Sequence, residues 1–302
     1  MSIGELLRVI VGMLSLVALG TLLRAAGLLK AEDARPINNV LIYVGMPALI
    51  FTTVHPAPVS ADLVEIPFIA WGITLAGVTV AWLLARAMRL PGPTAGAFIL
   101  CAAFGNTGYL GYPLAAALLG ETGLVRGIFY DVFGTVAAVL TVGVVVAGEL
   151  GEHEGRVNPL KELLTFPPFL ALLLALALRS VTVPGPVSDW LVALSKIVVP
   201  LIMMSVGLSL KPRSIKQRLG AVGAVGAVKL LALPLFALLL GRLLMSDAEA
   251  TRLLVLQAGM PSMMLTLVIG LRFKLDVDFI ASAILVTTVA AVFAVPLMQL
   301  LT

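Results

Sequence analysis

From Val9 to its C-terminus the sequence is a succession of apolar runs, each near twenty residues long and separated by only a few polar ones. A hydrocarbon core of ~30 Å needs about 20 residues of helix to cross it. Ten runs meet that length, at approximately 5–24, 36–54, 63–85, 93–119, 123–148, 160–179, 188–209, 215–242, 248–270 and 278–301. Composition leaves no other solvent. The 302 residues are 60% hydrophobic and 12% charged, where a soluble domain carries roughly 25% charged residues. The spacing predicts an all-α membrane protein with ten transmembrane helices and no soluble domain. No cleavable signal peptide is apparent, and the run from Val9 to Leu23 reads as the first span.

The net charge of +4 does not indicate nucleic acid, because the basic residues fall in short loops. With the N-terminus outside, cytoplasmic loops hold Arg24, Lys30, Arg35, Arg86, Arg89, Arg156, Lys161, Lys211, Arg213, Lys216, Arg218, Arg272 and Lys274. External segments hold Arg8, Arg126, Arg179, Lys196, Arg242 and Arg252. The bias of thirteen to six puts both termini outside a plasma (inner) membrane. Cys101 is the single cysteine and lies in an apolar run, while His55 and His153 lie in loops, so no metal or cofactor is expected.

The fourth run contains GNTGYLGYP at 105–113, although no Asp, Glu, Lys or Arg occurs from Leu90 to Gly120. Three glycines and a proline stop a helix that lipid would favour. The ninth run is broken by LQAGMPSMML around Pro261. Pro113 and Pro261 lie 148 residues apart, and the mid-span prolines Pro47 and Pro200 lie 153 apart, each near half the chain length. Two matched pairs suggest an internal repeat. Five spans per half make it inverted: residues 1–148 form one five-helix unit, 149–158 a short cytoplasmic linker, and 159–302 the second unit. Pro167-Pro168 interrupts the sixth run, and Pro47 and Pro200 read as structural kinks.

Inverted repeats with broken helices near mid-membrane are the design of secondary transporters. Freed backbone groups are tolerated only where they line a wet cavity or meet a ligand, and a half-helix N-terminus carries about +0.5 of a charge. Candidate substrate-binding residues are Asn106, Thr107, Gly108, Tyr109, Gly111 and Pro113 at the first break, with Gln257, Pro261, Ser262 and Met263 at the second. The bland reading is a helix kink packed closely against a neighbour through small residues. A phosphate-cradling loop lacks its Lys-Ser/Thr.

Charges within spans are expensive, at ~2.5–3.5 kcal/mol each on an insertion scale. Lys229, in the middle of the eighth run, could neutralise a substrate carboxylate, shuttle a proton or hold two helices together. Asp131 is the only acidic residue well inside a span, nearer its outer face, and is the candidate proton or sodium site or a helix anchor. The sequence leaves open whether their depths match. Lys196 snorkels to the interface. No enzyme constellation emerges: there is no HExxH and no G-x-S-x-G, and an intramembrane protease would need a Ser/His or a pair of aspartates.

INNVLIYVGMPALIF in the second span, FGNTGYLGYPL in the fourth, MMSVGLSL ending the seventh and AGMPSMMLTLVIG in the ninth together resemble the auxin efflux carrier family, in order along essentially the whole chain. The resemblance implies a fold like that of bile-acid symporters and sodium–proton antiporters, with crossing broken helices 4 and 9 and a transport part that moves against a scaffold. It implies secondary transport of a small organic anion, auxin-like or a dicarboxylate such as malate or malonate. Family members with long central loops carry them between the fifth and sixth helices; here that region is the short ELGEHEGRVN. Proton coupling, sodium coupling and uniport all remain open, as does a homodimer. The alternatives are a sodium-coupled symporter of the bile-acid type, a channel, or a membrane receptor that binds without moving its ligand.

Overall fold

A computed structural model describes residues 3–58, 60–152, 158–209 and 219–302. Of the expected linker, residues 153–157, with His153 and Arg156, lie outside the described residues, as do Lys211, Arg213, Lys216 and Arg218. The described chain is all-helical. Its elements are α1 Ile3–Ala25, α2 Ala31–Val54, α3 Asp62–Ala87, α4 Gly92–Ala103, α5 Gly111–Leu150, α6 Pro159–Leu164, α7 Pro167–Ala177, α8 Gly185–Ser209, α9 Leu219–Leu244, α10 Ala248–Ala258, α11 Leu265–Arg272 and α12 Val277–Gln299.

Six of these, α2, α3, α5, α8, α9 and α12, are long and apolar enough to cross a membrane. The most apolar stretch of α5 is 78% buried, against 33–44% for the other five. Protein therefore surrounds α5, while the others turn much of their surface to lipid. At 40 residues α5 is too long for one crossing, and it is two helices joined by a kink at Gly120, whose φ of 68° suits a residue without Cβ.

Prolines shape the helices as their chemistry requires. A proline inside a helix lacks an N–H and clashes with the carbonyl four residues earlier. Before Pro47 the helix widens into a π-turn over Leu41–Gly45, and before Pro234 over Val228–Ala232. The interruption at Pro167-Pro168 falls between α6 and α7, with Pro167 opening the new helix. In α8 the chain breaks at Ile197, and Pro200 lies in the first turn that follows.

Small residues let α1 and α8 touch backbone to backbone. A Cβ on Gly20 would lie 2.2 Å from the Met204 carbonyl oxygen, and one on Gly207 would lie 2.0 Å from that of Val17. Thr21 Oγ1 donates to the Gly207 oxygen at 3.1 Å, and an Arg24 Nη1 donates to that of Leu208 at 2.7 Å. At the start of α3, α10 and the second limb of α5, Arg126 joins three elements. Its Nε donates to Asp62 at 2.5 Å and its Nη2 to Asp247, the residue capping α10. Arg126, counted among the external basic residues, is 8% exposed and lies six residues past the kink at Gly120.

Candidate functional site

The expected fourth and ninth spans are each two helices with a gap. Phe104 leaves α4 in an extended conformation, φ −98° and ψ 119°, and α5 starts only at Gly111. The other gap runs over 259–264, between α10 and α11. The two gaps pair with each other. Asn106 N donates to the Pro261 oxygen at 2.7 Å, and Met263 N donates to the Phe104 oxygen at 3.0 Å. Gly105 and Ser262 face each other as an antiparallel bridge. Breaking a helix in an apolar surrounding orphans main-chain groups, and here each break supplies partners for the other. Ser262 completes the junction: its N–H donates to Thr287 Oγ1 at 3.1 Å and its hydroxyl donates to the Cys101 oxygen near the end of α4 at 2.8 Å.

Two charged side chains reach the segment 104–110. Lys229 Nζ donates to the Ala258 oxygen at 2.9 Å, at the last residue of α10. A Cβ on Gly105 would stand 2.9 Å from Lys229 Cε, so the lysine packs directly against the glycine backbone. Asp131 accepts from Thr107 Oγ1 at 2.5 Å and from the Tyr112 hydroxyl at 2.6 Å, and a Cβ on Gly108 would come 3.0 Å from its Oδ2. The ammonium thus meets a helix C-terminus and the carboxylate meets the first turn of α5, as the helix dipole favours. The sequence left open whether the two charges share a level; both reach the same seven-residue gap. Both also lie in π-helical turns, Tyr130–Val136 and Val228–Ala232.

Successive side chains of an extended segment point to opposite sides. Gly105 is against Lys229, and Asn106 faces a small cavity of about 30 Å³. The cavity is lined by Asn106, by Val206 and Ser209 of α8, by Met264, by Leu267 of α11, and by Ala281, Ile284 and Thr288 of α12. A water needs ~10–15 Å³, so the space suits one or two waters.

The expected site residues divide into three sets. Asn106, Thr107, Gly108, Pro261, Ser262 and Met263 form the crossing itself, and only Asn106 among the ten lines the cavity. The Ser262 hydroxyl is fully buried and already engaged. Gly111 and Gln257 meet elsewhere: a Cβ on Gly111 would be 2.1 Å from Gln257 Oε1, and the buried amide has no hydrogen-bond partner among the described residues. Tyr109 and Pro113 pack against the core. Sequence reasoning missed Tyr112 as a partner of Asp131, and Ser209 and Thr288 as polar groups on the cavity wall.

A family model described as membrane transport protein matches residues 5–158 and 156–299. The chain belongs to this family. The auxin efflux carrier resemblance points to the same family, and the transporter is a multi-pass membrane protein. It is similar to an uncharacterized transporter of Methanothermobacter thermautotrophicus, 35% identical over 95% of each chain. A second, from Methanocaldococcus jannaschii, is 33% identical over 96% of each chain. A Rhizobium meliloti protein bearing the name "Putative malonate transporter" is 26% identical over 86% of this chain and 84% of its own.

Proposed function

We propose that the transporter is a secondary carrier that moves a small organic anion, of the carboxylate class, across the plasma membrane by alternating access. The observation that carries this reading is the main-chain pairing of two interrupted helices through Asn106 and Pro261. Two interrupted helices that cross are the arrangement secondary carriers use to build a solute site. The buried cation of Lys229 behind the crossing favours an anion, and the name of the Rhizobium relative supports a dicarboxylate.

In this reading the chain crosses the membrane ten times, as two inverted five-helix units at 1–148 and 159–302 joined by the linker 149–158, with both termini outside. The substrate sits against Asn106, with Thr107, Gly108, Tyr109, Gly111, Pro113, Gln257, Pro261, Ser262 and Met263 forming the crossing and its support. Lys229 and Asp131 balance the half-helix ends while the site is empty. The cavity is too small for a three-carbon dicarboxylate, so entry requires α8 to move away from α11 and α12.

The test is counterflow of labelled malonate and other small carboxylates in proteoliposomes. Saturable exchange is expected, and Asn106→Ala abolishes it while the melting temperature holds. Unimpaired exchange in that variant overturns the site, and ohmic single-channel current overturns the carrier.

A further inference from the structure

A second concavity lies on the surface, away from the crossing. It is a groove of about 310 Å³ between the ends of α3, α4 and α5, walled by Val78, Trp82, Ile99, Val145 and Leu150, with Glu149 at its edge. Trp82 and Val145 are exposed. One turn beyond Trp82, the Arg86 guanidinium lies 5.2 Å from the Trp82 ring centroid, a cation on the aromatic face of a groove residue.

Glu149 is at odds with its position. It lies in the last turn of α5, where the helix dipole presents about −0.5 of a charge and disfavours an anion. Neither Arg86 nor Glu149 has a charged partner among the described residues, and they do not pair with each other. The groove therefore presents an apolar trough with an anion at its edge, Glu149, and a cation on its Trp82, Arg86, neither ion-paired among the described residues. A hydrocarbon chain fits the trough. A phosphate suits Arg86, and a small ammonium suits Glu149.

The geometry points to a binding site for an aminophospholipid of the phosphatidylethanolamine kind. One acyl chain lies along Val78, Ile99 and Val145. The phosphate is taken by Arg86, and the primary ammonium by Glu149. A glycerol headgroup leaves Glu149 without a cation, and a trimethylated choline nitrogen cannot donate a hydrogen bond to it.

The site has a built-in reporter. The chain has three tryptophans, Trp71, Trp82 and Trp190. In the full-length W71F/W190F variant Trp82 is the sole emitter, and phospholipids brominated on the acyl chain quench it on contact. Brominated phosphatidylethanolamine is expected to reach half-maximal quenching at about fivefold lower mole fraction than the phosphatidylglycerol or phosphatidylcholine forms, the scale of one added charge contact near the surface. Glu149→Gln removes the ethanolamine advantage alone, and Arg86→Gln weakens quenching by all three. Should W71F disturb folding through the Trp71 bond to the Phe133 carbonyl, the same quantity is read as the difference between the unaltered chain and Trp82→Phe. Quenching independent of headgroup, or strongest with the glycerol form, overturns the proposal.

Discussion

Replacing Lys229 by methionine separates a functional charge from a structural one. Methionine keeps much of the length and removes the ammonium. Two effects on stability oppose each other. The lysine is 2% exposed within a span, and relieving a charge there is worth ~2.5–3.5 kcal/mol on an insertion scale. Against that, the Ala258 carbonyl loses its donor at 2.9 Å, which costs ~1–3 kcal/mol for a buried acceptor, and the α10 C-terminus loses up to ~2 kcal/mol of dipole compensation. The sum lies near zero, so the melting temperature in detergent should move by no more than about 5 °C. Carboxylate counterflow should fall to background, since the cation behind the crossing is gone. Lys229→Arg is the control: it keeps the charge, so counterflow should survive in it to the extent that the longer guanidinium is accommodated beside Gly105 and Ala258. A loss of more than about 3 kcal/mol in Lys229→Met would mark the residue as a structural anchor of the kind whose removal leaves buried groups unpaired. Counterflow at the unaltered rate would refute the electrostatic argument.

Two further outcomes test the packing around the site. Gly111→Ala drives a Cβ into the Gln257 amide and should cost about 1–3 kcal/mol as overpacking; Gln257→Ala in the same chain should restore part of it, and additive losses in thermal unfolding would exclude their contact. Burial acts to raise the Asp247 carboxyl, but the Glu249 amide and the Arg126 guanidinium outweigh it and hold the group below the usual carboxylate range. Its stabilising contribution is thus complete above the unfolded value and is lost as pH falls through the depressed folded value. Arg126→Gln should shift acid unfolding to higher pH, and an unchanged acid limb would deny the link.

The apolar runs and both breaks are legible because their signals are local. A proline or glycine cluster in an uncharged run has few other uses, and the similar offsets of Pro113/Pro261 and Pro47/Pro200, 148 and 153 residues, suggested that the breaks belong together. What joins them is not local. Nothing in the sequence pairs Asn106 N with the Pro261 carbonyl, or assigns the Ser262 hydroxyl to Cys101 rather than to a ligand. Ser209 and Thr288 are single hydroxyls in apolar helices and have no periodic signature; only the approach of α8 to α12 makes them neighbours of Asn106. The burial of Arg126 is not local either: it lies six positions past the Gly120 kink, and its carboxylates come from α3 and from the residue before α10.

The two buried charges also share a backbone device that arises in two ways. In α9 the widened turn Val228–Ala232 is imposed by Pro234, which cannot bond the Leu230 carbonyl. In α5 no proline follows Asp131; instead the Trp71 indole donates to the Phe133 carbonyl at 2.9 Å, taking up an oxygen within the widened turn. An α-helix advances about 100° per residue, so one inserted residue turns everything downstream to a new face. That lets Lys229 point at Ala258 and Gly105 while Gly241, further along α9, still packs against Thr251 of α10, where a Cβ would lie 2.6 Å from its Cγ2. A regular helix could satisfy one of these faces only. The position of the charges at the crossing is therefore set by residues that touch neither charge, Pro234 in one half of the chain and Trp71 in the other.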